Sequence, residues 1–235
     1  MRTDQSAPEE VAQVAIEEIN YGVGFARRHG WKMALWFFLI LMPLWGFAAV
    51  VGELHENEVF AFDPFLLNLL HHTASPGHDR FFVLVSKLGY LWGVIPLDVA
   101  ILLWLAATKR FRPGLFFGVA VIGSAILNIA AKMYFARVRP DLWLSIAPET
   151  SYSFPSGHAM GSATLATALI LLCWHARARW PVVIVATSFA LLVSFSRIYL
   201  GVHFPSDILA GWLAAIAWVV GVHELIIRRA VIPES

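Results

Sequence analysis

The sequence predicts an all-α integral membrane protein, a six-helix bundle in one domain. Three observations lead there. Of the 235 residues, 59% are hydrophobic and only 14% are charged. The mean hydropathy is +0.69. The apolar residues gather into six runs, near 33–52, 81–107, 114–135, 159–175, 180–196 and 207–227, each close to the roughly 20 residues that span hydrocarbon. No internal repeat or Gly/Ser linker divides them. The net charge of +1 is not gathered in a solvated basic patch, so nucleic acid is not an expected partner. A single Cys173 cannot form an intrachain disulfide, and the redox compartment stays open.

Taken in order, residues 1–30 read as a cytoplasmic segment. They place Val11, Val14, Ala15 and Ile19 on one helical face beside Glu9, Glu10, Glu17 and Glu18, the pattern of a solvated or interfacial helix. The segment is long for the charged start of a signal peptide. The membrane domain follows over 31–229, and 230–235 form a tail. The loop 53–80 has a helix start of its own, with Asp63 as cap and Pro64 in the first turn. Phe65, Leu66, Leu67, Leu69 and Leu70 would lie on the membrane surface. His71 and His72 end that helix, where positive charge offsets the dipole. The run 81–107 reads as one helix carrying two costly groups, Lys87 and Asp98. Lys87 is a candidate substrate contact or a residue that snorkels outward. Asp98, two residues after Pro96, is expected to satisfy a structural partner or a freed backbone group. The runs at 159–175 and 180–196 are joined tightly through Arg177 to Pro181, which makes them antiparallel neighbours.

With both termini cytoplasmic, Arg2, Arg27, Arg28, Lys32, Lys109, Arg110, Arg112, Arg177, Arg179, Arg228 and Arg229 fall inside, as the positive-inside rule favours. Arg80, Lys87, Lys132, Arg137, Arg139 and Arg197 then lie on or toward the outer side. An outward-facing anion site gives these exceptions a reason. Trp143, Tyr152, Phe154, Tyr199 and Phe204 are expected to be interface anchors first.

Lys132 and Arg139 flank the outer end of the third run, and Arg197 ends the fifth. Three cations from separate segments suit a phosphate: arginine forks two of its oxygens, and lysine adds a movable point charge. Pro155-Ser156-Gly157-His158 immediately precedes the fourth run, exposing unpaired backbone N–H groups at a helix start. Gly157 admits close approach, the Ser156 hydroxyl adds a donor, and His158 projects into the same space. His203 precedes Pro205 at the start of the sixth run, with Asp207 in its first turn. If Asp207 accepts a proton from one imidazole nitrogen, the other is free to attack. These parts describe phosphoryl transfer through a phosphohistidine, with His203 as nucleophile, Asp207 orienting it and His158 as acid, then base. Lys132, Arg139, Arg197 and the amides near Ser156 and Gly157 would hold the equatorial oxygens. No metal or other cofactor is called for. Besides Asp207, the outer segments near the motifs offer only Asp141 and Glu149 as carboxylates.

The three stretches resemble the signatures of the type 2 phosphatidic acid phosphatase family, which includes bacterial lipid phosphatases and, more distantly, vanadium haloperoxidases. The match runs through Lys132 with Arg139-Pro140, then Pro155-Ser156-Gly157-His158, then Ser196-Arg197 with His203 and Asp207. The resemblance implies an α-helical membrane fold, a metal-independent reaction and a lipid substrate whose headgroup enters the site while its chains stay in the bilayer. In bacteria it implies undecaprenyl diphosphate, phosphatidylglycerol phosphate, phosphatidic acid or lipid A phosphate as substrates. Undecaprenyl diphosphate at the periplasmic face of the cytoplasmic membrane is the favoured expectation.

Two other classes use the same residues. An intramembrane serine hydrolase would employ Ser156, His203 and Asp207, but acyl transfer has no use for three added cations. A transporter or scaffold would keep a phosphate site without turnover, and its sequence would lack a nucleophile or an acid; both are present here.

Overall fold

The computed structural model describes residues 37–55 and 60–228, together with 30, 31, 34 and 35. The interfacial helix expected within 9–28 and the tail 230–235 lie outside the described residues. Among the described residues every regular element is helical. A π-helical turn, Phe37–Leu41, leads into α1 (Met42–His55). Then follow α2 (Phe62–His71), α3 (Pro76–Leu88), α4 (Val94–Ala107), α5 (Phe111–Phe135), α6 (Gly157–Cys173), α7 (Arg179–Tyr199) and α8 (Pro205–His223). A second π turn, Glu224–Arg228, continues α8.

Four stretches are long and apolar enough to cross a membrane: 37–54, α5, α7 and 205–227. The fourth predicted run forms α6, a shorter helix of 17 residues. The second run, 81–107, is not one helix. It breaks into α3 and the 14-residue α4. The cause is local: at Gly93 an added Cβ would lie 2.1 Å from the Leu88 carbonyl oxygen, so only glycine allows the chain to fold back there. Pro96 cannot donate to a carbonyl four residues earlier. Wider bonds close the turn instead, Trp92 N–H to Lys87 O at 3.1 Å and Ile95 N–H to Tyr90 O at 3.0 Å.

Helix α6 is the axis of the bundle and packs on α5, α7 and α8. Its small residues make this possible: Ala166 meets Ala186 and Ala190 of α7, and Met160 and Ala163 meet Ala215 of α8. Lipid supplies no hydrophobic drive between helices, so close backbone approach and dense contact hold them together. Deeper in the bundle, Phe116, Phe117 and Ala120 of α5 interlock with Leu165, Ala168, Val219 and Val222. The opposite faces carry exposed apolar residues such as Leu103, Leu115, Ile122, Ile126, Ile184 and Val185, as a lipid-facing surface requires.

Three expectations about the outer loops change. Leu67 does not lie on the membrane surface but is buried against Ala159, Ile198 and Ile208. Asp63 does not cap α2, whose N-cap is Ala61 without a side-chain bond. Its carboxylate is buried and engaged elsewhere, as described below. Phe154 and Tyr199 are buried rather than surface anchors. Phe154 packs between Phe47 and Phe135, and the Tyr199 hydroxyl donates to Asp79 at 2.6 Å.

Candidate active site

The C-terminal ends of α5 and α7 and the N-terminal ends of α6 and α8 meet at one end of the bundle, roofed by the loop 136–156. Each end is shaped by its own sequence. Ala136, in the left-handed conformation, stops α5, and its N–H returns to the Lys132 carbonyl at 3.0 Å. Ser156 caps α6, its Oγ accepting the Ala159 N–H at 3.5 Å. Its hydroxyl is thus used as an acceptor for the helix, not only as the donor expected from the sequence. Gly157 lets α6 start against α5: a Cβ there would lie 3.0 Å from Asn128 Oδ1, and Asn128 donates to the Pro155 carbonyl at 3.2 Å. Pro205 opens α8, and Asp207 Oδ2 accepts the Phe204 N–H at 2.9 Å.

This arrangement seats His203, 1% exposed, between Asp207 and Arg139. Its Nδ1 lies 3.4 Å from Asp207 Oδ2, and its Nε2 lies 3.1 Å from Arg139 Nη1. An arginine can only donate. The Nε2 atom therefore carries the lone pair and Nδ1 the proton, which is the tautomer a nucleophilic Nε2 needs. Burial is the main reason that the His203 pKa falls to about 4, outweighing the pull of Asp207 in the other direction.

Arg139, Arg197 and His158 surround one carboxylate, Glu149. Arg139 Nη2 reaches its Oε2 at 2.8 Å, Arg197 Nη2 bonds its Oε1, and His158 Nδ1 lies 3.8 Å from Oε1. Burial opposes the charge on Glu149, but Arg197, His158, His203 and Arg139 override it and hold the pKa at about 2. Arg197 is itself 1% exposed and anchored by Ser86 of α3. Its Nε is buried and has no hydrogen-bond partner among the described residues. Arg139 is also pinned by the carbonyls of Ser151, at 2.7 Å, and Val202, at 2.5 Å. Lys132 turns to the Tyr152 carbonyl and, with Glu149, Gly157 and His158, lines a cavity of about 400 Å³. Lys87 is not among the residues lining that cavity. It ends α3 with its ammonium 5.2 Å from the Trp92 ring.

Four residues beyond those singled out from the sequence complete the site. Glu149 is one. Ser153, fully buried, donates to Asp207 Oδ2. Arg137 donates to Asp207 Oδ1 at 2.5 Å and to Ser206 Oγ at 2.8 Å, and its other nitrogen reaches Asp63 at 3.3 Å. Asp63 in turn accepts the Ser206 N–H at 2.8 Å and its hydroxyl at 2.6 Å. The guanidinium carbon lies over Phe204, 4.1 Å from the ring centre. Asp207 thus has both oxygens saturated, and the chain Asp63–Arg137–Asp207–His203 ties α2 to the start of α8. The only sequence signal for Arg137 was a cation two residues before Arg139; Asp63 read as an ordinary cap.

A buried imidazole with a fixed tautomer beside a cluster of arginines is suited to attack on a bound oxyanion. Comparison with known proteins agrees. Residues 113–230 match the PAP2 superfamily. The chain is 30% identical to an undecaprenyl-diphosphatase of Sulfolobus acidocaldarius over 80% of its length and 89% of the relative's. It is 29% identical to phosphatidylglycerophosphatase B of Bacillus subtilis, over 71% of the chain and 84% of that protein. The crystal structure of a transmembrane PAP2 type phosphatidylglycerolphosphate phosphatase from Bacillus subtilis superposes with a TM-score of 0.70 at 25% identity, covering 82% of this chain and 98% of that one. The chain belongs to the PAP2 superfamily and is a multi-pass membrane lipid phosphatase.

Proposed function

We propose that the chain hydrolyses a lipid phosphate or diphosphate through a phosphohistidine on His203 Nε2, at the outer face of a bacterial cytoplasmic membrane with both termini inside. The observation that carries this reading is the seat of Glu149: Arg139, Arg197 and His158, from three separate segments, converge on one carboxylate beside Nε2. A terminal phosphate takes that place, with the orphaned Arg197 Nε as a further donor. Lys132 and the first-turn N–H groups of α6 supply more positive potential.

The Nε2 lone pair attacks phosphorus as the bond to the leaving oxygen breaks, and His158 gives that oxygen its proton. Asp207 steadies the imidazolium as it forms. Water then attacks the phosphohistidine, His158 takes the water's proton, and inorganic phosphate leaves. Arg139 and Arg197 hold the equatorial oxygens through both steps. Among relatives, the names undecaprenyl-diphosphatase and phosphatidylglycerophosphatase B make undecaprenyl diphosphate and phosphatidylglycerol phosphate the first substrates to try.

The test is acid-labile, base-stable labelling of the purified protein by a lipid carrying radioactive terminal phosphate. Wild-type protein should trap label and release phosphate, with or without excess EDTA, and His203→Ala should do neither. Full turnover by His203→Ala would refute the nucleophile.

A further inference from the structure

The cavity that holds Lys132, Glu149 and His158 continues into the membrane between α4, α5 and α6, where the reaction has no use for its polar lining. Its deeper wall carries Asp98, Ser124, Asn128 and Thr164. Ser124 and Thr164 satisfy each other at 2.7 Å, and Asn128 is tied to the Pro155 carbonyl. Asp98 is different. It is 7% exposed, and its buried Oδ1 has no hydrogen-bond partner among the described residues. The structural partner expected from the sequence is therefore not found for that oxygen. A carboxyl group left so within hydrocarbon is costly, and rotation of the Asp98 side chain, which lines the cavity, would turn that oxygen toward a ligand able to supply the missing bond.

The cavity's shape indicates which ligand. Its top is lined by Lys132, Glu149 and His158, at the edge of the phosphate cluster, and there the Tyr90 ring stands 5.1 Å from His158. Asp98 lies one turn, roughly 6 Å, into α4, while Thr164 on α6 is about 9 Å below His158. Ile95 and Ile129 line the same cavity and are 38% and 58% exposed, so it opens sideways between α4 and α5 onto the lipid-facing surface. A lipid phosphate entering there keeps its phosphate at the top and lays its leaving alcohol along Asp98.

We propose that Asp98 is a specificity residue that accepts a hydrogen bond from a free hydroxyl on the substrate's leaving alcohol, so that the chain prefers lipid phosphates with a hydroxylated headgroup over those with a bare polyprenyl or diacylglycerol alcohol. The proposal rests on the phosphatase reading of the same site and narrows its substrate class. A site built around a buried acceptor rejects a ligand that leaves the acceptor unpaired.

The experiment uses the full chain in detergent and two matched lipids, phosphatidylglycerol phosphate and its analogue in which the free glycerol hydroxyl is replaced by hydrogen. For wild-type protein kcat/KM should favour the hydroxylated lipid by at least about tenfold. Asp98→Leu should reduce that ratio to near one while cleaving the deoxy lipid at least as fast as wild type, which also shows that the variant is folded. Asp98→Asn, which keeps an acceptor oxygen, should retain most of the preference. Equal rates for the two lipids in wild type, or an undiminished ratio in Asp98→Leu, would overturn the proposal. So would undecaprenyl diphosphate outpacing both lipids, an outcome that leaves the phosphohistidine reading intact. Loss of phosphohistidine labelling with every lipid would instead remove that reading and this proposal together.

Discussion

Replacing Arg137 with methionine leaves the phosphate cluster untouched and removes the cation that bridges two fully buried carboxylates. Asp63 and Asp207 are each 0% exposed, and Arg137 bonds both. Breaking a buried pair from one side leaves an uncompensated charge and typically costs about 3–5 kcal/mol. Here two carboxylates lose their cation but keep other donors, Ser206 for Asp63 and Ser153 with the Phe204 N–H for Asp207, so a loss near the lower end of that range is expected. Arg137→Lys should recover only part of the loss, because one ammonium cannot fork to both partners. Catalysis should suffer separately. With Asp207 Oδ1 released, His203 loses its fixed orientation, and a displacement near 1 Å lowers kcat by roughly 100-fold. KM should change little, since Arg137 bonds neither Glu149 nor the other clamp residues. The assay pairs thermal unfolding in detergent micelles with phosphate release at saturating substrate. Asp63→Asn combined with Arg137→Met should cost less than the sum of the two changes, with a coupling of about 0.5–3 kcal/mol. An Arg137→Met protein within about 1 kcal/mol of wild type and with unchanged kcat would refute the reasoning.

Other consequences can be measured on the same preparation. His203 must be neutral to attack, and burial has lowered its pKa to about 4, so the acid limb of kcat/KM should fall near pH 4; a midpoint near 6.5 would contradict the buried, dry imidazole. The need for a protonated His158 adds an alkaline limb to kcat, where the bound phosphate beside the imidazole favours its proton. Stability follows the same sign: the contribution from neutral His203 is complete above the unfolded value of 6.5 and is lost as pH falls through about 4, and that of ionised Glu149 is complete above 4.5 and lost toward about 2. Glu149→Gln removes the carboxylate that competes for Arg139 and Arg197, so inhibition by inorganic phosphate or vanadate should tighten by about tenfold, the effect of one charge-assisted bond. Unchanged inhibition constants would show that the carboxylate and the ligand do not share a seat.

The helical class was legible because hydropathy and run length respond directly to a bilayer, and the meeting of Lys132, Arg139, His158, Arg197, His203 and Asp207 at one end follows from alternating helix direction. The break in 81–107 was written in Gly93 and Pro96, but a run of apolar residues hid it, since hydropathy does not sense backbone direction. Glu149, Ser153 and Arg137 were illegible for another reason. They sit in or beside a loop without periodicity, and only the folded loop 136–156 brings them over the helix ends. Asp63 misled because a carboxylate in a first helical turn has an ordinary local use, whereas its partners Arg137 and Ser206 are far away in sequence.

The two helices that flank the cavity, α4 and α6, have 14 and 17 residues, lengths of about 21 and 26 Å, whereas α5, with 25 residues, reaches about 38 Å. A hydrocarbon layer near 30 Å cannot match both. Helix α6 is enclosed by α5, α7 and α8, but α4 presents Leu103 and Trp104 outward, and a bilayer would meet so short a helix by thinning or by drawing headgroups inward. Hydrophobic mismatch would then assist substrate delivery. A lipid entering such a dimple would bring its phosphate down to the level of the arginines, and its chains would be spared about 0.8 kcal/mol for each methylene otherwise lifted into water.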